Sequence, residues 1–218
     1  MRFVITFIYT VVYCICLKLL AYWFFLIPIE SSHFPLIEVY DTLNSLIMLI
    51  ILGMVFTIAK RKDVLTFKKT ESNYYLLGIL LGIGFVFFQP ILNIIYYLEF
   101  TTNFIDYEFT IERLKSLNIL AYVIFIPIAE ELFFRNFIQR ELSKTYKPYL
   151  AILLASLLFA FMHITFENIF LGYYFFNMHQ AYITLFGGFI SGVLLYKSQS
   201  VVPSILFHVF WNLTVHVV

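Results

Sequence analysis

Long apolar runs separated by short polar stretches make up most of the chain. A helix needs about 20 mainly apolar residues to cross a lipid bilayer, and the pattern predicts about seven such spans, within a range of six to eight. A further apolar piece, 169–176, is too short to cross and is interpreted as re-entrant or interfacial. The predicted spans are 4–27, 43–59, 74–97, 117–138, 149–164, 181–196 and 201–218.

Neither a linker nor an internal repeat divides the sequence, so we predict one integral membrane domain over 1–218. The predicted fold is all-α, a polytopic bundle of transmembrane helices. Composition supports this class: 62% of the residues are hydrophobic and 12% are charged, which argues against a water-soluble globular domain. A net charge of +1 offers no basic surface for a nucleic acid.

The loops after the second and fourth spans are rich in lysine and arginine, whereas the loops between them are acidic or neutral. Basic residues favour the cytoplasmic side of a membrane, so we predict that both basic loops and the N-terminus face the cytoplasm. The loop residues concerned are Lys60, Arg61, Lys62, Lys68, Lys69, Arg140, Lys144 and Lys147.

Two adjacent carboxylates, Glu130 and Glu131, interrupt the apolar sequence of the fourth span, where an unpartnered charge is costly. In an α-helix Glu131 and Arg135 lie four positions apart with the acid first, the favourable orientation for an ion pair. Glu130 points about 100° away and lacks that partner. We therefore interpret Glu131 as structural, and Glu130 as the acid that takes up and releases a proton.

Two further pairs are spaced by four, so that each pair shares a helix face: Phe159 with His163, and His208 with Asn212. If the fourth and fifth spans form a hairpin turning at 145–148, Glu130 and His163 each lie about 16 residues from the turn and come level. Such residues face a bundle interior rather than lipid. In the last span, Ser204 and His216 lie on the same helix face as His208 and Asn212, and the four residues form a polar stripe. His33 and His179 are interpreted as exposed loop residues.

We predict that Glu130, His163, His208 and Asn212 converge in one cavity in the cytoplasmic half of the membrane. This arrangement favours hydrolysis by an activated water, which Glu130 and His163 would hold and deprotonate. His208 and Asn212 would then donate hydrogen bonds to the oxyanion. No serine, threonine or cysteine in these groups is a convincing nucleophile.

At these residues the chain resembles the CPBP family, the type 2 CAAX prenyl proteases and their bacterial relatives, also called the Abi family of intramembrane glutamate endopeptidases. The family pattern is Glu-Glu-x-x-x-Arg, then Phe-x-x-x-His, then His-x-x-x-Asn or Asp on successive helices. All three motifs are present in order: Glu130-Glu131-Leu-Phe-Phe-Arg135, Phe159-Ala-Phe-Met-His163 and His208-Val-Phe-Trp-Asn212. The resemblance covers about 117–212.

The resemblance implies that Glu130 is the general base, that His163 helps to hold the water, and that His208 and Asn212 form the oxyanion pocket. Glu131, Arg135 and Phe159 would organise the site. It also implies a reaction without a metal or another cofactor. Members of the family remove a C-terminal tripeptide after a prenylated cysteine or, in bacteria, process small peptides or confer immunity to bacteriocins. The short loops resemble the bacterial branch.

Other functions are compatible with the same residues. Glu130, Glu131, His163 and His208 form an oxygen and nitrogen set that zinc accepts, although the His-Glu-x-x-His helix of the usual zinc proteases is missing. A non-enzymatic membrane protein is another alternative, either an immunity protein that sequesters a peptide or a proton-coupled carrier. The sequence lacks the paired repeats typical of carriers. The expected partners are the bilayer and a hydrophobic or lipidated peptide.

Overall fold

Within the residues that the computed structural model describes, 1–22, 34–100, 109–164 and 178–218, the chain forms seven main helices and no strand. This confirms the predicted all-α bundle. The piece 169–176, His33 and the end of the predicted first span lie outside the described residues. The helices are α1 (Arg2–Tyr22), α2 (Phe34–Ile58), α3 (Ser72–Tyr97), α4 (121–143), α5 (Pro148–Met162), α6 (His179–Ser198) and α7 (Val202–Val217).

Three helical segments in the described part are long and apolar enough to cross a membrane: Val39–Ile58, Ser72–Tyr97 and His179–Ser198. Helices α5 and α7 are also apolar but have 15 and 16 residues. At about 1.5 Å per residue they extend roughly 23 Å, less than the roughly 30 Å of a hydrocarbon core. The protein is thus an integral membrane protein whose functional helices include short ones.

Helix α4 is continuous but alternates between two kinds of helical turn. Ala121–Phe125 and Glu131–Gln139 are π-helical, whereas Ile126–Glu130 and Arg140–Ser143 are α-helical. π-Helical turns are rare and occur frequently at functional sites. The change from α to π falls between the two adjacent carboxylates of the fourth span, a feature that the apolar pattern does not reveal.

Helices α4 and α5 form the predicted antiparallel hairpin, because α4 ends at Ser143 and α5 begins at Pro148. The predicted fifth span reaches residue 164, but α5 ends two residues earlier, at Met162. The last turn tightens there, since the backbone N–H of His163 bonds to the carbonyl of Ala160 at 2.9 Å. His163 therefore caps the helix instead of lying inside it.

Close packing of α3 on α7 fixes the position of the last helix. A Cβ atom added at Gly78 would lie 2.5 Å from the backbone oxygen of Pro203, and one at Gly82 would overlap the carbonyl of Phe207. Only glycine permits this approach of two backbones. His179, predicted as an exposed loop residue, instead begins α6 and bonds through Nε2 to Asn93 Oδ1 at 2.8 Å.

One carboxylate joins three parts of the chain at the end of the bundle that carries the basic loops. Glu141 near the end of α4 lies 3.3 Å from Arg2 at the start of α1 and 2.8 Å from Arg61 in the connection after α2. Lys144 makes a third ion pair with it. The N-terminus and the loops after α2 and α4 therefore lie on one side of the bundle.

Candidate active site

The centre of the bundle holds a carboxylate with three partners. Glu131 accepts a hydrogen bond from Ser191 Oγ at 2.5 Å and one from His208 Nδ1 at 3.1 Å. Arg135 Nε lies 3.4 Å from Oε2, the same carboxylate oxygen that Ser191 contacts. The predicted pairing of Glu131 with Arg135 is therefore present, and both side chains are buried in the core. Both oxygens of Glu131 are thus engaged, and its carboxylate holds Ser191, His208 and Arg135 in position.

The Arg135 side chain is completely buried beside this carboxylate. Its Nε donates to Ser191 Oγ at 3.0 Å, and its Cζ lies 5.0 Å from the centroid of the Phe159 ring. The two terminal nitrogens make no hydrogen bond within the described residues, so the aromatic face is their main stabilising neighbour. Gly188 gives the guanidinium room, because a Cβ there would lie 3.1 Å from Nη2.

His208 lies between the two acids. Its Nδ1 donates to Glu131 Oε1 at 3.1 Å, and its Nε2 lies 3.8 Å from Glu130 Oε2. The first distance is a hydrogen bond and the second is too long for one. Glu131 therefore fixes the orientation of the imidazole and turns its second nitrogen towards Glu130.

Glu130 differs from its neighbour although both are buried. Among the described residues, the Glu130 carboxylate has one ion-pair neighbour, His208 Nε2 at 3.8 Å, and it accepts no hydrogen bond. The adjacent acid has three polar partners instead. Sequence reasoning predicted this difference in partners, and the geometry leaves Glu130 oxygen atoms available for a water or a substrate.

His163 is oriented by its own helix. Its Nδ1 lies 2.9 Å from the carbonyl oxygen of Phe159, so Nδ1 carries the proton and donates it. This bond satisfies a carbonyl that the tightened end of α5 leaves without its usual partner. In the neutral ring Nε2 then has a free lone pair, which makes it an acceptor.

Phe159 connects the polar groups. Its ring centroid lies 4.7 Å from that of His163 and 5.9 Å from that of His208, both in edge-to-face arrangements. The guanidinium of Arg135 covers the ring from another direction. One buried aromatic ring therefore sets the separation of the two histidines, which gives Phe159 a packing role at the centre of the site.

The side-chain amide of Asn212 contacts the backbone at the start of α4. Asn212 lies one turn beyond His208 on α7, and its Nδ2 donates to the backbone carbonyl of Tyr122 at 2.7 Å. His216, the next residue of the predicted stripe, bonds to the Asn212 carbonyl and stacks on the Tyr122 ring at 5.8 Å. The structure thus brings Glu130, Glu131, Arg135, Phe159, His163 and His208 together, and ties Asn212 to the start of α4.

Ser191 is a site residue that sequence reasoning missed. It bridges Glu131 and Arg135, and its own carbonyl accepts a hydrogen bond from Ser204 Oγ at 2.8 Å. Ser204 therefore supports Ser191 instead of reaching the carboxylates. The available signal is the run Gly187-Gly188-x-x-Ser191-Gly192, in which a serine lies among small residues that are typical of close helix packing.

The polar groups of the site pair with one another and do not form a cluster of metal ligands in the described part of the chain. Among residues 1–22, 34–100, 109–164 and 178–218, no three His, Cys, Asp or Glu side chains are grouped as metal ligands. The polar groups instead pair with one another, with Glu131 as their common acceptor. The arrangement suits acid–base chemistry at Glu130 beside two oriented imidazoles.

Comparisons with known proteins agree with the location of this site. Residues 112–214 match the family model described as type II CAAX prenyl endopeptidase Rce1-like, and that range contains α4, α5, α6 and nearly all of α7. Searches of curated proteins and of solved structures returned no match. Through this segment, which is just under half of the chain, the protein is similar to the Rce1-like type II CAAX prenyl endopeptidases.

Proposed function

We propose that the protein is an intramembrane peptidase in which Glu130, without a metal ion, activates the water that hydrolyses a peptide bond. One observation supports this most: the two neighbouring acids have different partners. Glu131 is held by Ser191, Arg135 and His208, whereas Glu130 forms no hydrogen bond within the described residues and has His208 Nε2 at 3.8 Å as its ion-pair neighbour there. A general base needs a carboxylate that is positioned but free to receive a proton.

In the proposed reaction, Glu130 takes a proton from the water while the water oxygen bonds to the carbonyl carbon. His163 Nε2 accepts a hydrogen bond from the same water, since Nδ1 is engaged with the Phe159 carbonyl. The carbonyl oxygen becomes an oxyanion, stabilised in this proposal by the imidazolium form of His208, whose Nε2–H donates to it while Nδ1–H donates to Glu131, and by the second amide N–H of Asn212. When the C–N bond breaks, the proton on Glu130 passes to the leaving amine.

The proposed substrate is a hydrophobic or lipidated peptide. An apolar groove of about 370 Å³ lies between α1 and α2, and Phe133 and Phe137 of α4 form part of its wall. Arg61 lines the groove at the end of α2 that carries the basic loop. An apolar cavity of this size suits a chain that partitions into the bilayer.

We further propose a cytoplasmic N-terminus and a site that opens towards the cytoplasmic half of a bacterial cell membrane. The grouping of Arg2, Arg61 and Lys144 around Glu141 supports a single basic side of the bundle. The short loops support the bacterial branch, whose roles would be the processing of peptides or bacteriocins, or self-immunity.

The test compares purified, detergent-solubilised parent protein with Glu130→Gln on a panel of lipidated and unmodified peptides, with and without a strong chelator. We expect the parent to cut at least one peptide regardless of chelator and Glu130→Gln to fall to background. Glu141→Gln is the matched control, because it makes the same change on the same helix outside the site. It should retain activity at 25 °C.

Other outcomes separate the remaining possibilities. Equal cleavage by Glu130→Gln and the parent would remove Glu130 from the role of base. Loss of activity with chelator, restored by zinc, would favour a metalloprotease. If the folded parent binds a peptide but cuts none of the panel, a binding or immunity function replaces the peptidase.

A further inference from the structure

Tyr13 on α1 is a buried polar residue that lies outside the matched segment 112–214. Its side chain is 7% exposed, and its hydroxyl has no hydrogen-bond partner within the described residues. A buried hydroxyl without a partner destabilises a fold, so such a group commonly serves another purpose. The surroundings of Tyr13 indicate which one.

The register of α1 against α4 brings Tyr13 level with Glu130. The Arg2–Glu141 ion pair, 3.3 Å long, ties the start of α1 to the end of α4. The two helices are antiparallel, so both extend away from this ion pair on the same side of it. Tyr13 lies 11 residues after Arg2, and Glu130 lies 11 residues before Glu141. At 1.5 Å per residue Tyr13 is about 16 Å from the ion pair along α1, and Glu130 is the same number of residues from it along α4, whose π-helical turns make that distance somewhat shorter.

Aromatic contacts turn Tyr13 towards the same face of α4. Its ring stacks on that of Phe133 with a centroid distance of 4.1 Å and an interplanar angle of 9°, and it meets the edge of Phe134 at 6.0 Å. These residues follow Glu130 by three and four positions, which places them next to it on the helix surface. The Tyr13 hydroxyl is also close enough to the Glu130 carboxylate for the two groups to interact electrostatically.

We propose that Tyr13 is a positioning residue of the active site, whose hydroxyl donates a hydrogen bond to the water that Glu130 deprotonates. This inference rests on the proposed function and assigns part of the site to the N-terminal helix. This arrangement uses all four tetrahedral directions of the water molecule. Its two hydrogens point to Glu130 and to Nε2 of His163, one lone pair accepts from Tyr13, and the other faces the carbonyl carbon.

Tyr13→Phe tests the inference because it removes the hydroxyl and keeps the ring on Phe133. We expect kcat to fall about tenfold with KM within twofold of the parent, since the hydroxyl contacts the water and not the peptide. The unfolding temperature should be unchanged or higher, because the lost group had no partner. Tyr149→Phe is the matched control and should retain the parent kcat: Tyr149 near the start of α5 does not line the groove, is 61% exposed and contacts the Tyr196 ring at 6.0 Å.

The outcomes distinguish this inference from the function on which it rests. If the parent cuts a peptide, Glu130→Gln does not, and Tyr13→Phe retains the parent kcat, the role of Tyr13 is overturned and the peptidase stands. A fall in kcat accompanied by a clear loss of unfolding temperature would assign Tyr13 a structural role only. A parent that cuts no peptide overturns both.

Discussion

The side-chain amide of Asn212 supplies a hydrogen bond that the backbone of Tyr122 cannot obtain within its own helix. The Tyr122 carbonyl would normally accept from Ile126 or, in a π-helical turn, from residue 127. The Ile126 N–H is bonded to Ala121, and residue 127 is a proline without an N–H. Asn212 Nδ2 donates to this carbonyl at 2.7 Å and thereby ties α7 to the first turns of α4.

This relationship predicts that Asn212→Asp destabilises the protein even though the side chain keeps its size. A carboxylate cannot donate to the Tyr122 carbonyl and would repel it. We expect a loss of about 1 kcal/mol in unfolding free energy, the usual net value of one such hydrogen bond at a partly exposed site. Thermal unfolding in detergent measures it.

Thr214→Val is the control for Asn212→Asp, because Thr214 on the same helix donates only to the Phe210 carbonyl one turn before it. It should change the unfolding temperature less than Asn212→Asp does. Equal effects of the two variants would show that the Asn212–Tyr122 bond does not stabilise the bundle.

Ser191 offers a second test, because its hydroxyl serves two charged groups at once. Ser191→Ala removes the donor to Glu131 and the acceptor for Arg135. Hydrogen bonds to charged groups contribute about 1.5 to 3 kcal/mol each, so we expect a loss of at least about 2 kcal/mol in stability. Activity should also fall, since Glu131 orients His208.

The buried Ser156 is the matched control for Ser191→Ala. It is as well buried as Ser191 but donates only to the Ile152 carbonyl in its own helix. Ser156→Ala should cost less than about 1 kcal/mol. If both alanine variants unfold at the same temperature, the bridging role of Ser191 is wrong.

The helices and part of the site could be predicted from the sequence because their signals are local. Apolar runs mark the spans, the spacing of Glu131 and Arg135 marks an ion pair, and the polar turn before Pro148 marks the hairpin. These features depend on residues a few positions apart. The motif spacing also places Phe159 and His163 correctly on one face.

Contacts between distant helices could not be predicted in this way. Nothing local shows that His208 bonds to Glu131, 77 positions earlier, or that Ser191 lies between Glu131 and Arg135. The π-helical turns of α4 also escape an apolar pattern, since π and α turns bury similar residues. The sequence contains 16 tyrosines, and nothing local marks Tyr13 as a site residue; its stacking on Phe133 shows that it lies near Glu130.

The ion pairs of Glu141 predict a dependence of stability on pH. Partial burial opposes ionisation, but Lys144 and Arg61 outweigh it and hold the pKa of Glu141 below its usual range. A carboxyl whose pKa is lower in the folded protein stabilises the fold above its unfolded pKa of about 4.3, and loses that contribution as pH falls through the folded value. Glu141→Gln should therefore lower the unfolding temperature at pH 7 and have less effect near pH 3.

Asp63→Asn is the comparison for Glu141→Gln. Its carboxyl pairs with Arg61, which lowers the pKa of Asp63, but the side chain is 62% exposed. Solvent screens such a pair, so its removal should cost less at pH 7 than the removal of Glu141. A Glu141→Gln effect that stays constant from pH 7 to pH 3 would contradict the ion-pair explanation.

Two glycines of α3 differ only in what surrounds them, and they test whether the close approach of α7 holds the site together. A Cβ at Gly82 would overlap the Phe207 backbone and lie 3.0 Å from the Trp211 nitrogen, whereas nothing lies within 4 Å of one at Gly84. Because backbone atoms cannot move aside alone, Gly82→Ala should push α7 away and lower the unfolding temperature by several degrees. It should also reduce peptide cleavage, because His208 on α7 would be displaced.

Gly84→Ala is the control. It should leave activity unchanged and stability equal or higher, since alanine favours a helix by up to about 1 kcal/mol. Equal behaviour of the two variants would mean that α7 does not depend on this contact for its position.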